Sequence, residues 1–268
     1  MNTEVATLHR GSVPLLVSFP HVGTEVPREI AASLLKGALA VADTDWHLEA
    51  LYAFVRELGA STLVPRVSRY CIDLNRPPEN TPMYAGTNNT ELCPTHAFSG
   101  QPIHRKGRAP DAAEVERRLQ RYWRPYHDAL ADELARLKAE HGHALLFDAH
   151  SIKSELPWLF DGRLPDLNLG TASGASCGPR LRDALAGVLQ RQSRYTHAVD
   201  GRFKGGYITR RYGQPAEGVQ AVQLEMAWRC YMAETPPYEI DERLASGVRP
   251  LLRELIETML AHGAPQAS

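Results

Sequence analysis

Cysteine is scarce and scattered. Cys71, Cys93, Cys177 and Cys230 are the only four in 268 residues, and no two form a C-x-x-C pair. That spacing excludes a thiolate zinc site and a secreted disulfide framework, so four buried thiols in a reduced, cytoplasmic setting are expected. Long apolar runs are missing too: none approaches the roughly 18–20 residues of a membrane span. The N-terminus carries Glu4 and His9 before a short apolar run and lacks the pattern of a signal peptide. Neither sign of charge is in excess. A formal net charge of -1 gives no global field to attract nucleic acid or an anionic membrane, so any anion recognition is local. Three catalytic signatures are also absent: the G-x-x-x-x-G-K-[ST] loop, a G-x-G-x-x-G after a strand and H-E-x-x-H.

What is present is a set of short apolar runs that end in chemistry. Ala144-Leu145-Leu146-Phe147 is bounded by polar residues, reads as a strand buried on both faces, and delivers Asp148, His150 and Ser151. Leu15 to Phe19 runs into Pro20-His21, and Val219 to Leu224 runs into Glu225. In open α/β sheets the ligand crevice lies beyond the carboxyl ends of the strands, which is where these residues fall.

Around these runs the periodicity predicts further strands at Ser61–Val64, Tyr70–Leu74 and Tyr195–Val199. It predicts a helix opening at Asp43 or Asp45 and stopping at Gly59. A long helix capped by Asp111 extends to about His141 with Pro125 as a break, and others cover Pro179–Gln190 and Asp241 to about His262. Residues 77–110 and Pro165 to Gly178 are expected as loops, the first lying over the site. No repeat or low-complexity linker divides the chain, so 1–268 is read as one domain with its core at about 13–262.

Two histidines at two strand ends suit a cation bound by imidazole and carboxylate, with an open position for water. Asp148 lies two before His150 and so on the same side of a strand, placed to hold the imidazole's other N–H. Ser151 lies too close to His150 in sequence to form a hydrolase dyad by itself. For a third ligand Glu25, Asp43 and Asp45 are all open, with helix capping the plainer role for the aspartates. Glu225 is either a general base whose pKa is raised by burial or a carboxylate paired with an arginine such as Arg229. Arg69, Arg76, Lys204, Arg210 and Arg211 are loop-side cations suited to a substrate with more than one carboxylate.

Six ordered blocks then resemble one family. These are Ser18–Pro27 with its P-H-x-G-x-x-x-P pattern, Asp43–His47, Ser68–Pro77, Asp148–Ser151, Lys204–Arg210 and Gln223–Met226. Together, from about residue 13 to 232, they resemble the N-formylglutamate amidohydrolase family, and most of all its histidine-degradation branch. The resemblance implies a three-layer α/β/α fold with a mostly parallel mixed central sheet, similar to zinc carboxypeptidases. It also implies Zn²⁺, or another divalent transition metal, and a small dicarboxylate N-acyl amino acid as substrate. The implied reaction is hydrolysis of N-formyl-L-glutamate to formate and L-glutamate, the last step of a histidine-degradation route.

By position, the resemblance makes His21 and His150 metal ligands and Glu225 the general base. Asn75 and Arg76 resemble the family's pair at the substrate carboxylate; from the residues themselves Arg69 or Arg210, with Thr209, are taken as further substrate contacts and Asp148 and Ser151 as supports. Carboxypeptidases carry H-x-x-E, whereas Thr24 stands three after His21 here. Asp45 is therefore taken as the carboxylate ligand, with Asp43 and Glu25 still open. Two alternatives are a sibling amidohydrolase acting on an N-succinyl or N-acetyl substrate, and a dicarboxylate-binding protein without catalysis.

Overall fold

In the computed structural model, residues 5–82 and 88–264 are described. Seven strands form one sheet: β1 (Ala6–His9), β2 (Leu15–Ser18), β3 (Ser61–Pro65), β4 (Ala144–Ile152), β5 (Leu167–Gly170), β6 (His197–Val199) and β7 (Val219–Ala227). Their order is β1-β3-β2-β4-β7-β5-β6. The four central strands, β3, β2, β4 and β7, run parallel. β1 is antiparallel to β3 and β5 to β7, while β6 follows β5 in parallel. This is a mixed, mostly parallel sheet in an α/β fold.

Parallel strands need helices on both faces, and the alternation of side chains shows where they lie. Leu15, Val17, Leu145, Phe147, Val222 and Leu224 share a core with helices Pro179–Arg191 and Glu242–His262. Leu16, Leu63, Ala144, Leu146 and Ala221 point the other way, beneath Leu130, Leu134 and Leu137 of helix Arg124–His141. Each buried leucine contributes about 1.5–3 kcal/mol. Two continuous apolar layers therefore clamp β4, which is buried along its whole length.

Several local expectations change. Tyr70–Leu74 is not a strand; it is a buried turn whose Asp73 N–H donates to Leu92 O at 2.7 Å. The helix expected from Asp43 is two single turns, Leu48–Leu51 and Phe54–Glu57. Neither aspartate caps them: His47 precedes the first in the left-handed region, with φ 62°. Asp111 and Asp241 do cap their helices, each accepting from backbone N–H groups one turn in. The break expected at Pro125 is a π-helical turn, Leu119–Trp123, followed by a helix with proline in its first turn. The supposed loop after Pro165 holds β5, and β1 was not foreseen.

Within 77–110 the described residues form no helix or named strand, only isolated bridges such as His96 with Pro102. Part of that expected loop, 83–87, lies outside the described residues. Among the described residues no helix is long and apolar enough to cross a membrane.

Candidate metal centre

The strand parity that buries Leu146 and Ala221 carries Asp148 and His150, and Gln223 and Glu225, onto the same face one and two pleats further on. β4 and β7 run in register there, with His150 directly opposite Glu225. Beside them β2 ends at Ser18, and the turn after it brings in His21. Gly23 is required in that turn, because a Cβ would lie 2.2 Å from Val67 O.

His21, Asp45 and His150 converge there, all three buried. His21 Nδ1 is 3.2 Å from His150 Nδ1, and Asp45 Oδ2 is 3.3 Å from His150 Nδ1 and 3.8 Å from His21 Nδ1. The far nitrogen of each ring is tied to a buried carboxylate. His21 Nε2 is 2.7 Å from Asp73 Oδ1 and His150 Nε2 is 2.8 Å from Asp148 Oδ2. A neutral imidazole donating from Nε2 presents a lone pair at Nδ1. Two imidazole nitrogens and a carboxylate oxygen brought this close together form a set of donor atoms able to hold a cation. Two imidazole nitrogens and one carboxylate oxygen, each ring braced by an aspartate, fit a divalent transition ion.

The braces are themselves held. Asp45 N–H donates to His21 O at 3.0 Å, and Asp45 Oδ2 accepts from Ser151 N–H at 3.2 Å. Ser151 Oγ accepts from Tyr231 OH at 2.8 Å. Asp73 Oδ2 accepts from Arg69 Nη2 at 2.7 Å, and Asp73 Oδ1 accepts from Asn75 N–H at 2.9 Å. Asn75 Nδ2 lies 3.3 Å from Asp148 Oδ2, and Asn75 Oδ1 accepts from Ile208 N–H at 2.8 Å.

Electrostatics follow from burial. Burial and the Arg69 guanidinium lower His21, against the pull of Asp73, and so favour its neutral form. Burial also opposes charge on His150, but the carboxylates of Asp148, Asp45 and Glu225 together hold its pKa well above the ordinary value. Burial opposes ionisation of Asp73, yet His21, Arg69 and Arg76 keep it well below the usual range. Glu225 is pushed up to about 8, by burial first and Asp45 among its neighbours, with His150 pulling the other way. A carboxylate poised near neutrality suits proton transfer. Its alternative partner is engaged elsewhere: Arg229 Nε lies 2.8 Å from Asp166 Oδ1.

These groups line a narrow cavity of about 70 Å³, shared with Arg69, Asn75 and Arg76 and walled by Phe98, Ile152, Leu159, Phe160 and Phe203. A wider depression of about 630 Å³ beside His47 and Glu49 shares no residue with it, so its size carries no functional weight. The expected site residues divide accordingly. His21, His150, Ser151, Glu225, Arg69, Asn75 and Arg76 line the cavity, and Asp45 and Asp148 stand behind the histidines. Arg210 instead lines a separate cavity with Ser173, Ser176 and Lys204, and Thr209 is buried away from both.

Asp43 accepts from Tyr70 OH and Phe98 N–H, and Glu25 pairs with Arg66 at the surface. Asp73, Arg202, which also lines the cavity, and the five apolar walls are not among the expected residues. Asp73 had a signal, an acid set in an apolar run, which is the same signal that singled out Asp148.

A sequence-family model described as N-formylglutamate amidohydrolase matches residues 13–232. The chain is 53% identical to the N-formylglutamate deformylase of Pseudomonas aeruginosa and 48% identical to that of Pseudomonas putida, covering 97% of each chain in both pairs. Among solved structures it resembles an N-formylglutamate amidohydrolase from Ralstonia eutropha JMP134, with a TM-score of 0.78 at 27% identity and 97% of both chains covered. A gene product from Agrobacterium tumefaciens, at 19% identity and a TM-score of 0.74, shares the fold over 97% of this chain and 96% of its own.

Proposed function

Because the chain belongs to the N-formylglutamate amidohydrolase family, we propose that it hydrolyses N-formyl-L-glutamate to formate and L-glutamate with a divalent metal ion, zinc by preference, held by His21, His150 and Asp45. The observation that carries the metal reading is the meeting of both Nδ1 atoms and Asp45 Oδ2, with each Nε2 braced by an aspartate. When bound, such an ion polarises a carbonyl oxygen and lowers the pKa of water.

The chain's own groups do the rest. Glu225, opposite His150 and lining the cavity, takes a proton from the attacking water and passes it to the leaving amine, so that the C–N bond breaks with formate and a protonated amine as products. Arg76 is anchored by Thr90 through Nε and Nη2 and presents a guanidinium to a substrate carboxylate. Arg69 is bonded to Asp73, which fixes His21; its charge faces the same cavity. Asn75, with both ends of its amide engaged, holds Asp148 in place while lining the wall. Phe98, Ile152, Leu159, Phe160 and Phe203 leave a cramped acyl side, which favours formyl over acetyl or succinyl. The reaction closes a histidine-degradation route.

The test is formate release from N-formyl-L-glutamate by the purified protein, before and after chelation and again after adding zinc. Loss and recovery are expected. Turnover that ignores the chelator would remove the metal from the reading, and equal rates on N-acetyl and N-succinyl glutamate would remove the formyl preference.

A further inference from the structure

The segment that carries Asn75 and Arg76 has no strand or helix of its own, yet its position relative to His150 is fixed from outside. Two side chains of one helical rod hold it. Trp123 Nε1 donates to Arg76 O at 3.0 Å, and His127 Nε2 donates to Leu74 O at 2.8 Å. Trp123 and His127 are four apart, one helical turn, and their rings stack at 3.7 Å between centroids. With the carbonyls on either side of Asn75 drawn to this pair, the Asn75 side chain turns the other way, toward Asp148 and the Ile208 N–H.

His127 also reaches the second support of Asn75. Its Nδ1 accepts from Tyr212 OH at 2.9 Å, and Tyr212 ends the short helix Tyr207–Tyr212 that contains Ile208. The imidazole is buried, and one ring holds both the segment that bears Asn75 and the helix whose Ile208 N–H meets its amide. The rod widens into its π-helical turn at Leu119–Trp123, just where the first donor leaves it. π-turns recur at functional sites because the extra residue re-aims side chains.

We propose that Trp123 and His127 are positioning residues. They act through the Leu74 and Arg76 carbonyls to set the guanidinium of Arg76 at the distance from the His21–Asp45–His150 cluster that one small substrate spans. The inference rests on the reading above, in which Arg76 meets a substrate carboxylate.

The test compares Trp123→Phe, His127→Phe, His127→Gln and, as a control on the reading itself, Arg76→Gln, each as metal-loaded enzyme with N-formyl-L-glutamate. Trp123→Phe and His127→Phe keep an aromatic ring but lose the donor. Each is expected to raise KM roughly tenfold, the worth of one buried hydrogen bond, with a smaller change in kcat and unchanged bound metal. His127→Gln, whose amide nitrogen can still donate to Leu74 O, is expected to recover most of the lost affinity. Arg76→Gln is expected to exceed both, at roughly a hundredfold in KM.

If Arg76→Gln leaves KM unchanged, the carboxylate reading fails and takes the inference with it. If Arg76→Gln raises KM while the donor-deleted variants lower only the melting temperature, the reading stands and the positioning role is overturned. Should His127→Phe fail to fold, Trp123→Phe and His127→Gln decide the matter by the same split.

Discussion

Leu146 and His150 stand on the same face of one strand, two pleats apart, and are almost equally hidden from water at 0% and 3% exposure. Around Leu146 everything is apolar, and the helix Arg124–His141 lies across it. His150 instead meets Asp148, Asp45, Asn75 and, across the ladder, Glu225. Leaving a buried polar group unpaired costs several kcal/mol, so a chain tolerates such a cluster only where each member has a partner and the whole has a use. Depth of burial does not separate core from site. Polarity at a buried parity position does.

The contrast is broken most sharply at Glu225. Glu225→Gln should lower kcat by about 10²–10⁴-fold while leaving bound metal and thermal stability in place; normal formate release would remove the base. The opposite failure is expected at Leu146. Leu146→Ala should cost about 2–5 kcal/mol in urea unfolding, with kcat per folded molecule unchanged, and a selective loss of kcat would show that core and site are not separable along β4. A smaller effect is expected at the braces. Asp73→Asn should weaken metal binding about 10–100-fold, read by competition with a chromophoric chelator, and equal affinity would make the His21 brace irrelevant.

The smallest effect comes from pH. Burial pushes His127 down to about 3, so the folded protein keeps it neutral where the unfolded chain protonates it near 6.5. Its contribution to stability is complete above about pH 6.5 and is lost as pH falls toward 3. Between pH 6.5 and 4.5 wild type should therefore lose about 2 kcal/mol more than His127→Gln. Parallel pH profiles would contradict a neutral, buried imidazole.

The strands that bear the site were legible because an apolar run ending in His or Glu is a local pattern. His21, His150 and Glu225 could each be read from their own neighbours. Asp45 could not. The hydrogen bonds that aim it, from its own N–H to His21 O and from Ser151 N–H to its carboxylate, are tertiary. Locally it looks like a helix cap, and only the left-handed His47 and the broken helix behind it show otherwise. Asp73 carried a local signal, an acid in an apolar run, but that run has the composition of a strand and forms a buried turn, so its place beside His21 is tertiary. β1 and β5, four residues each, are too short for period-two alternation to be distinctive. Arg210 lines a separate cavity, because abundance and loop position say nothing about which cavity an arginine faces.

The widened turn at Leu119–Trp123 has one more effect. Upstream of it Arg118 Nη1 donates to Cys71 O at 2.9 Å, while downstream Trp123 and His127 take the carbonyls of Arg76 and Leu74. One rod thus reads the same stretch of chain from both sides of a phase slip. Deleting a single residue there would restore an unbroken α-helix and rotate one half against the other by about 100°, so that only one set of donors could face its carbonyls. The helix's residue count is as strict a requirement for this protein as the identity of any side chain it presents.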